Sequence, residues 1–307
     1  MEETSRFYCS ELSRRAGERP FGTASIGAVW LLLEYPHGWG RRALEDSALS
    51  AEVKDHFTRA CEAIRHSRLL FIKTDRALRD ARMSFFVVRC RERSPFVVRF
   101  KLKEYDDLTR LDLAAVASGR DLQGGQVSAD PLFLVCTHGR RDKCCAKFGI
   151  PLYNALRDYA GESVWQSSHV GGDRFAGNLL CFPHGLFYAH TTPDAGRRLL
   201  SDYRELRMSL DNFRGRACYA HHTQAAELFV RAEAGIHGVE ALRHLSTTRE
   251  GDASWLVRFA ERDGTGVHAA RVTRRPSSFR NFTTCHSTAA KPVQQFHLED
   301  YRVATAE

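Results

Sequence analysis

The chain has 307 residues, enough for two domains of ordinary size with an appendage. Its 45 basic and 37 acidic residues leave a net charge of +8, but the densest basic patches, Arg140–Arg141 and Arg274–Arg275, are short, which argues against nucleic acid and for a solvated basic surface. No apolar run approaches the roughly 18 residues of a membrane span, and the opening MEETSRFYC has no apolar signal core, so a cytoplasmic protein without a membrane partner is expected.

In chain order, residues 28–34 (AVWLLLE) read as a buried strand, followed by a polar loop that includes 37–42. Val53, Phe57, Ala60 and Ile64 have helical spacing, which predicts a helix over 51–66. A short strand at 69–72, a hairpin of 84–89 with 96–102, and a helix over 108–117 follow. Pro131 opens a second series: a strand at 132–135, a helix over 143–160 kinked or restarted at Pro151, a strand at 162–166, a hairpin of 177–182 with 186–189, and an amphipathic helix over 192–210 begun by Thr-Pro. Both series run strand, helix, strand, hairpin, helix, the element order of a thioredoxin-like unit. The expected fold class is α/β, bordering on α+β: two tandem thioredoxin-like units, residues 1–125, which have no clustered ligand residues and are expected to be without a cofactor, and 126–220. A small extension at 221–307 has a helix over 225–233 and strands near 255–259 and 268–273.

Nine cysteines are present, an odd number, and no CxxC occurs. A disulfide framework, a zinc knuckle and a dithiol oxidoreductase are all disfavoured. Cys61, Cys90 and Cys181 fall in apolar patterns and read as buried structural thiols. His221–His222 and Cys285–His286 read as isolated pairs with surface or structural roles.

The stretch CTHGRRDKCC, residues 136–145, carries the chemistry. The strand delivers Cys136 at its C-terminal end, and Cys144 and Cys145 lie at the start of the next helix. The helix start has unpaired N–H groups and a positive dipole end, which favour thiolate over thiol. Arg140, Arg141 and Lys143 add positive charge. In SSHVGGDRFAGN, residues 167–178, the preceding strand is expected beside 132–135. That brings His169 and Asp173 toward the cysteine loop, while Gly171 and Gly172 let the backbone pass close to a bulky object.

CTHGRRDKCC, SSHVGGDRFAGN and the following LLCFPHGLFYAH together resemble the sucrase/ferredoxin-like family, and a weaker likeness spans most of the chain. The resemblance implies a thioredoxin-like ferredoxin fold holding a 2Fe–2S cluster through two cysteines and two histidines. It implies Cys136 and Cys145 as thiolate ligands of one iron and His169 as the first histidine. Asp173 stands where the family has its second histidine. Three roles are open to it: ligand, acceptor for a ligand, or ion-pair partner of Arg140 or Arg174. Arg140, Arg141, Cys144, Gly171, Gly172 and Arg174 are expected around the ligands, with Cys144 a packed helix residue. His138, His184 and His190 are the remaining substitutes for the fourth ligand.

The expected function is electron transfer to or from a redox partner protein, a reductase or oxidase with an acidic docking surface. The alternatives are a cluster-based redox sensor and an interaction scaffold with a degenerate cluster site. A catalyst is the lesser expectation. No acid/base pair of carboxylates supports glycoside hydrolysis, and nothing identifies a small-molecule substrate.

Overall fold

The computed structural model describes residues 7–75, 82–122 and 124–305. After helix α1 (Cys9–Arg15), strand β1 (Val29–Glu34) is buried along its whole length. A strand is buried in this way only when both faces of its sheet are covered. The first half continues with α2 (Ala51–Ala63), β2 (Ser67–Lys73), β3 (Met83–Arg89), β4 (Phe96–Leu102), α3 (Leu113–Ser118) and β5 (Gly125–Ser128). The second half contains β6 (Leu132–Cys136), α4 (Lys143–Ala160), β7 (Val164–Ser167), β8 (Leu179–Phe182), β9 (Leu186–Tyr188), α5 (Pro193–Arg204) and β10 (Phe213–Arg216).

All ten strands form one mixed sheet, in the order β10-β9-β8-β6-β7-β2-β1-β3-β4-β5. Its halves repeat one pattern. β1 and β2 are parallel, and β3, β4 and β5 add antiparallel on the far side of β1. β6 and β7 are parallel, and β8, β9 and β10 add antiparallel beyond β6. The halves join where β2 pairs antiparallel with β7, Ile72 opposite Ser167 and Lys73 opposite Gln166.

Side chains alternate across the sheet with period two. Leu31 and Leu33 pack in one core with Val53 and Phe57 of α2 and Val116 of α3. Phe133 and Val135 pack in another with Leu152 and Leu156 of α4 and Leu200 of α5. The opposite faces of the two halves share a single core: Trp30 and Leu32 lie with Leu134, Cys136, Cys145, Trp165, Phe182 and Phe187. The rings of Trp30 and Phe182 are 5.6 Å apart, although three strands separate β1 from β8. Four strand spacings of a flat sheet would place them about 19 Å apart. The sheet therefore curls until its two halves meet face to face.

The remaining chain forms α6 (His221–Ala234) and an antiparallel sheet of β11 (Leu242–Arg249), β12 (Ser254–Glu261), β13 (Gly266–Asn281) and β14 (Lys291–Thr305). Ala226 and Val230 of α6 cover Val257, Phe259, Ala270 and Val272. Buried Glu227 accepts hydrogen bonds from Arg216 on β10 and from Arg231, tying this layer to the main sheet.

Several expectations are refined. The helix over 143–160 runs through Pro151 without a break. The helix expected to reach residue 210 stops at Arg204, and Leu206 adopts a left-handed φ of 54°. Residues 108–117 divide between a 3-10 turn, Tyr105–Arg110, and α3, because Asp112 accepts from the N–H groups of Ala114 and Ala115 and starts a new helix. Strands β5, β10, β11 and β14 and helix α1 were not foreseen. Among the described residues no helix is long and apolar enough to cross a membrane.

Trp30 is fully buried where the halves meet, so Trp30→Ala should cost about 3–5 kcal/mol. Denaturant unfolding of the main sheet is expected to stay a single transition with a lowered midpoint. A variant that loses one half in a separate transition would show that the halves do not share this core.

Candidate metal centre

Strand β6 ends at Cys136 and α4 begins seven residues later. Asp142 caps that helix, its Oδ1 accepting the Cys144 N–H at 2.9 Å. Gly149, one turn and a half into α4, faces the Cys136 carbonyl so closely that a β-carbon would not fit. This close approach seats the helix start against the strand end, and Cys145 and Cys136 share the inter-half core.

The sulfurs of Cys136 and Cys145 and a ring nitrogen of His169 lie within 4.8 Å of one another. Asp173 joins them on one side: its Oδ1 is 3.7 Å from Cys145 Sγ and 3.3 Å from His169 Nδ1. Cys136, Cys145 and Asp173 are buried, and His169 is partly exposed. Of the expected surroundings, Arg141 lines the same cleft as His169 and Cys144 adjoins Cys145 in the chain, but Arg140 is exposed. Arg174 does not pair with Asp173; its Nε binds Glu18, a buried acid in the segment after α1.

The group of donor side chains is positioned from both halves of the chain. His169 follows β7, and Ser168 beside it exchanges two hydrogen bonds with the backbone of Phe71 in β2. The His169 N–H donates to His138 Nδ1 at 3.1 Å, and His138 Nε2–H donates to the Gly40 carbonyl at 2.7 Å. Both ring nitrogens of His138 are thus engaged, and burial lowers its pKa. His138 ties the His169 backbone to the loop after β1 and has no ring nitrogen left over for the donor group. His184 bonds to Tyr203 and Glu240, and His190 Nδ1 to Ser10, all away from the three donors.

Gly171 and Gly172 have φ of 89° and 81°, a region that side chains rarely adopt. The loop wraps the guanidinium of Arg214, which is fully buried. Arg214 donates to the Gly171 carbonyl at 3.0 Å, to Asn178 Oδ1 at 2.7 Å and to the Thr23 carbonyl at 2.6 Å. Asn178 in turn bonds the Gly172 carbonyl, and its own carbonyl accepts the Cys136 N–H. One buried arginine therefore fixes the loop that carries Asp173 relative to Cys136. Sequence reasoning missed it, because Arg214 lies 41 residues beyond Asp173 in an unremarkable polar stretch.

The charges within the site are complementary. Its hydrogen bond from Cys145 pulls the Cys136 thiol well below the ordinary thiol range against the effect of burial, and the same bond holds Cys145 up. Burial alone would lower His169, but the Cys136 thiolate and Asp173 outweigh it and raise the imidazole. Burial raises Asp173, opposed by His169. The donor set contains two sulfurs, one imidazole and one carboxylate. Soft sulfur with nitrogen and oxygen suits iron or zinc.

Beside His169 a cleft of about 380 Å³ opens to solvent, lined by Arg41, Arg42, Arg68 and Arg141. A second group of donors, Cys9, Asp142, Cys144 and Cys285, lies on the other side of the α4 start. Cys285, read from sequence as part of an isolated pair, is thus packed against other thiols. The arrival of Cys9 and Cys285 was not legible in the sequence, since neither has a local motif.

Gly172→Ala is expected to destabilise the protein more than Gly235→Ala, as measured by urea unfolding. Both residues have left-handed φ, worth about 1–2 kcal/mol of strain. At Gly235 the added methyl meets open space, whereas at Gly172 it lies 2.5 Å from the pinned Arg214 Nη2. Equal losses would show that Arg214 is free to move and does not fix the loop.

No curated protein and no solved structure matches the chain. A family model described as sucrase/ferredoxin-like matches residues 20–215. That span takes in the main sheet from β1 through β9 and the candidate donors Cys136, Cys145, His169 and Asp173, and on it the chain belongs to the sucrase/ferredoxin-like family.

Proposed function

We propose that the protein is an electron carrier whose 2Fe–2S cluster is held by Cys136, Cys145, His169 and Asp173. The observation that carries this reading is the convergence of the four side chains at one end of the sheet, in a family named for ferredoxin. A two-iron cluster needs four protein donors, and the donor set fits: two thiols for one iron, imidazole and carboxylate for the other. The cluster would supply one-electron chemistry. The chain supplies burial, fixed ligand positions and nearby positive charge. The repeated strand pattern supports two thioredoxin-like units, residues 1–125 and 126–220, with 221–307 as an extension. In this assignment the first unit has no cofactor of its own and acts as one wall of the site.

The four arginines of the cleft beside His169 support docking of an acidic redox partner there. Such a partner would approach the only donor of the set that is partly exposed.

A second reading, a single metal ion, is favoured by one observation: the donor atoms of Cys136, Cys145 and His169 are close enough to share one centre. Iron and sulfide analysis of protein purified without oxygen separates the two. The proposal expects two irons and two sulfides per chain and a coloured protein. A colourless protein with one metal and no sulfide would overturn it.

Ligand replacement tests the assignment. Cys136→Ser or Cys145→Ser should abolish or severely reduce the iron and sulfide content, while Cys144→Ser should retain most of it. The reverse ranking of Cys144 and Cys145 would mean that the wrong neighbour has been chosen.

Asp173 gives a sharper test. A carboxylate is negative and stabilises the more positive, oxidised state, whereas a neutral imidazole raises the potential. Asp173→His is expected to raise the midpoint potential and to steepen its fall with pH, because a second imidazole would then titrate; each coupled proton contributes up to about 59 mV per pH unit. Redox titration across pH reads both. If Asp173→Ala keeps the wild-type spectrum and potential, Asp173 is not a ligand.

A further inference from the structure

We propose that Cys9, Cys144, Cys285 and Asp142 form a second metal site, separate from the first, that takes a single soft divalent ion of the zinc class. The thiols come from three distant segments: α1, the start of α4, and the loop between β13 and β14. Their sulfurs form a compact triangle, with Cys9 to Cys144 at 3.6 Å, Cys144 to Cys285 at 3.2 Å and Cys285 to Cys9 at 3.6 Å.

Around a tetrahedral ion with zinc–thiolate bonds of about 2.3 Å, neighbouring sulfurs stand about 3.8 Å apart. The triangle lies just inside that spacing, so a small outward movement of the thiols admits one ion. A disulfide would use only two of the three and leave the third unpaired; the near-equal sides instead suit three ligands of one centre. A bridged iron–sulfur cluster needs space for its inorganic sulfides that so tight a triangle does not leave.

Asp142 completes the set. An oxygen of its carboxylate lies within 4.8 Å of each thiol sulfur. Its two oxygens also accept the N–H groups of Cys144 at 2.9 Å and Cys285 at 2.7 Å, so it orients two of the ligands it accompanies. Cys9, Cys144 and Asp142 are buried. Phe7, Tyr8, Phe148 and Phe282 pack around the thiols and limit access of water. Three thiolates with one carboxylate are a donor set for zinc rather than for calcium or magnesium, which take oxygen.

The two sites share no donor, yet consecutive residues serve them: Cys145 faces the inter-half core and Cys144 the thiol triangle. The ion would act as a staple, fastening α1 and the β13–β14 loop onto the helix start that carries Cys145.

The test uses the full chain, purified without oxygen and with zinc, iron and sulfide measured on the same sample. One zinc per chain is expected in wild type, none in Cys9→Ser or Cys285→Ser, and unchanged iron and sulfide in Cys285→Ser. Because iron and sulfide are counted separately, failure of the cluster assignment and failure of this one are distinguishable. A Cys136→Ser/Cys145→Ser variant, titrated with cadmium, isolates the second site: one equivalent should bind, with an ultraviolet thiolate-to-metal band. Cys285→Ser added to that background should weaken binding by about a hundredfold or more. Limited proteolysis should cut within residues 7–20 and 282–290 faster after chelation. No stoichiometric zinc or cadmium, a Cys144–Cys285 disulfide in the anaerobic protein, or binding unchanged by Cys285→Ser would each overturn the proposal.

Discussion

The short antiparallel pairing of β2 with β7 is the constraint on which the site depends. It joins the two halves into one sheet through only two opposed residue pairs, Ile72 with Ser167 and Lys73 with Gln166. The residues immediately beyond it are Ser168 and His169. A donor two residues beyond the last paired strand residue has little freedom to wander, because Ser168 between them is pinned again by Phe71. The curl of the sheet does the rest. By bringing Trp30 onto Phe182 and Phe187 it closes the core that buries Cys136 and Cys145. It also brings the loop after β1 against His138, through the Gly40 carbonyl and the Trp39 ring. The half of the chain that contributes no donor to this centre therefore contributes much of its geometry.

The start of α4 concentrates this arrangement. A helix N-terminus offers free N–H groups and favours anions. Here Asp142 satisfies one of those groups, and the next residues place one thiol on each side. Burial of so many ionisable groups would be costly if they were unpaired. They are paired throughout: Cys136 with Cys145 and His169, Asp173 with His169, Arg174 with Glu18, Arg214 with four oxygens of three residue backbones and side chains. Removing one member leaves its partner buried and uncompensated, which is why single substitutions here are informative.

Much of the main sheet was legible in the sequence because its strands are short, apolar and separated by turn residues. Residues 132–135, 179–182 and 186–188 follow that pattern closely. The short edge strands β5 and β10 have little apolar content; GQVS and FRGR give no periodicity to read. β11 and β14 are rich in charged and polar residues because one face of their sheet meets solvent, and the long strand β13 was seen only where its apolar residues alternate, near 268–273. At the site, Cys136, Cys145, His169 and Asp173 stood out because they lie in two dense motifs next to predicted strand ends. Arg214, Gly40, Cys9 and Cys285 did not, since each reaches its neighbours through a long-range contact that no local pattern encodes. The ion pair of Arg174 with Glu18, in place of one with Asp173, is a case of the same kind: the partner is 156 residues away.

The central claim is an asymmetric pair of irons, one bound by sulfur and the other by nitrogen and oxygen. Mössbauer spectroscopy of reduced, iron-57-enriched protein tests it most directly. Two inequivalent iron sites in equal amounts are predicted, with the ferrous character on the iron held by His169 and Asp173, where one negative charge in place of the two of a thiolate pair favours the added electron. A single iron environment, or two equivalent irons, would contradict it.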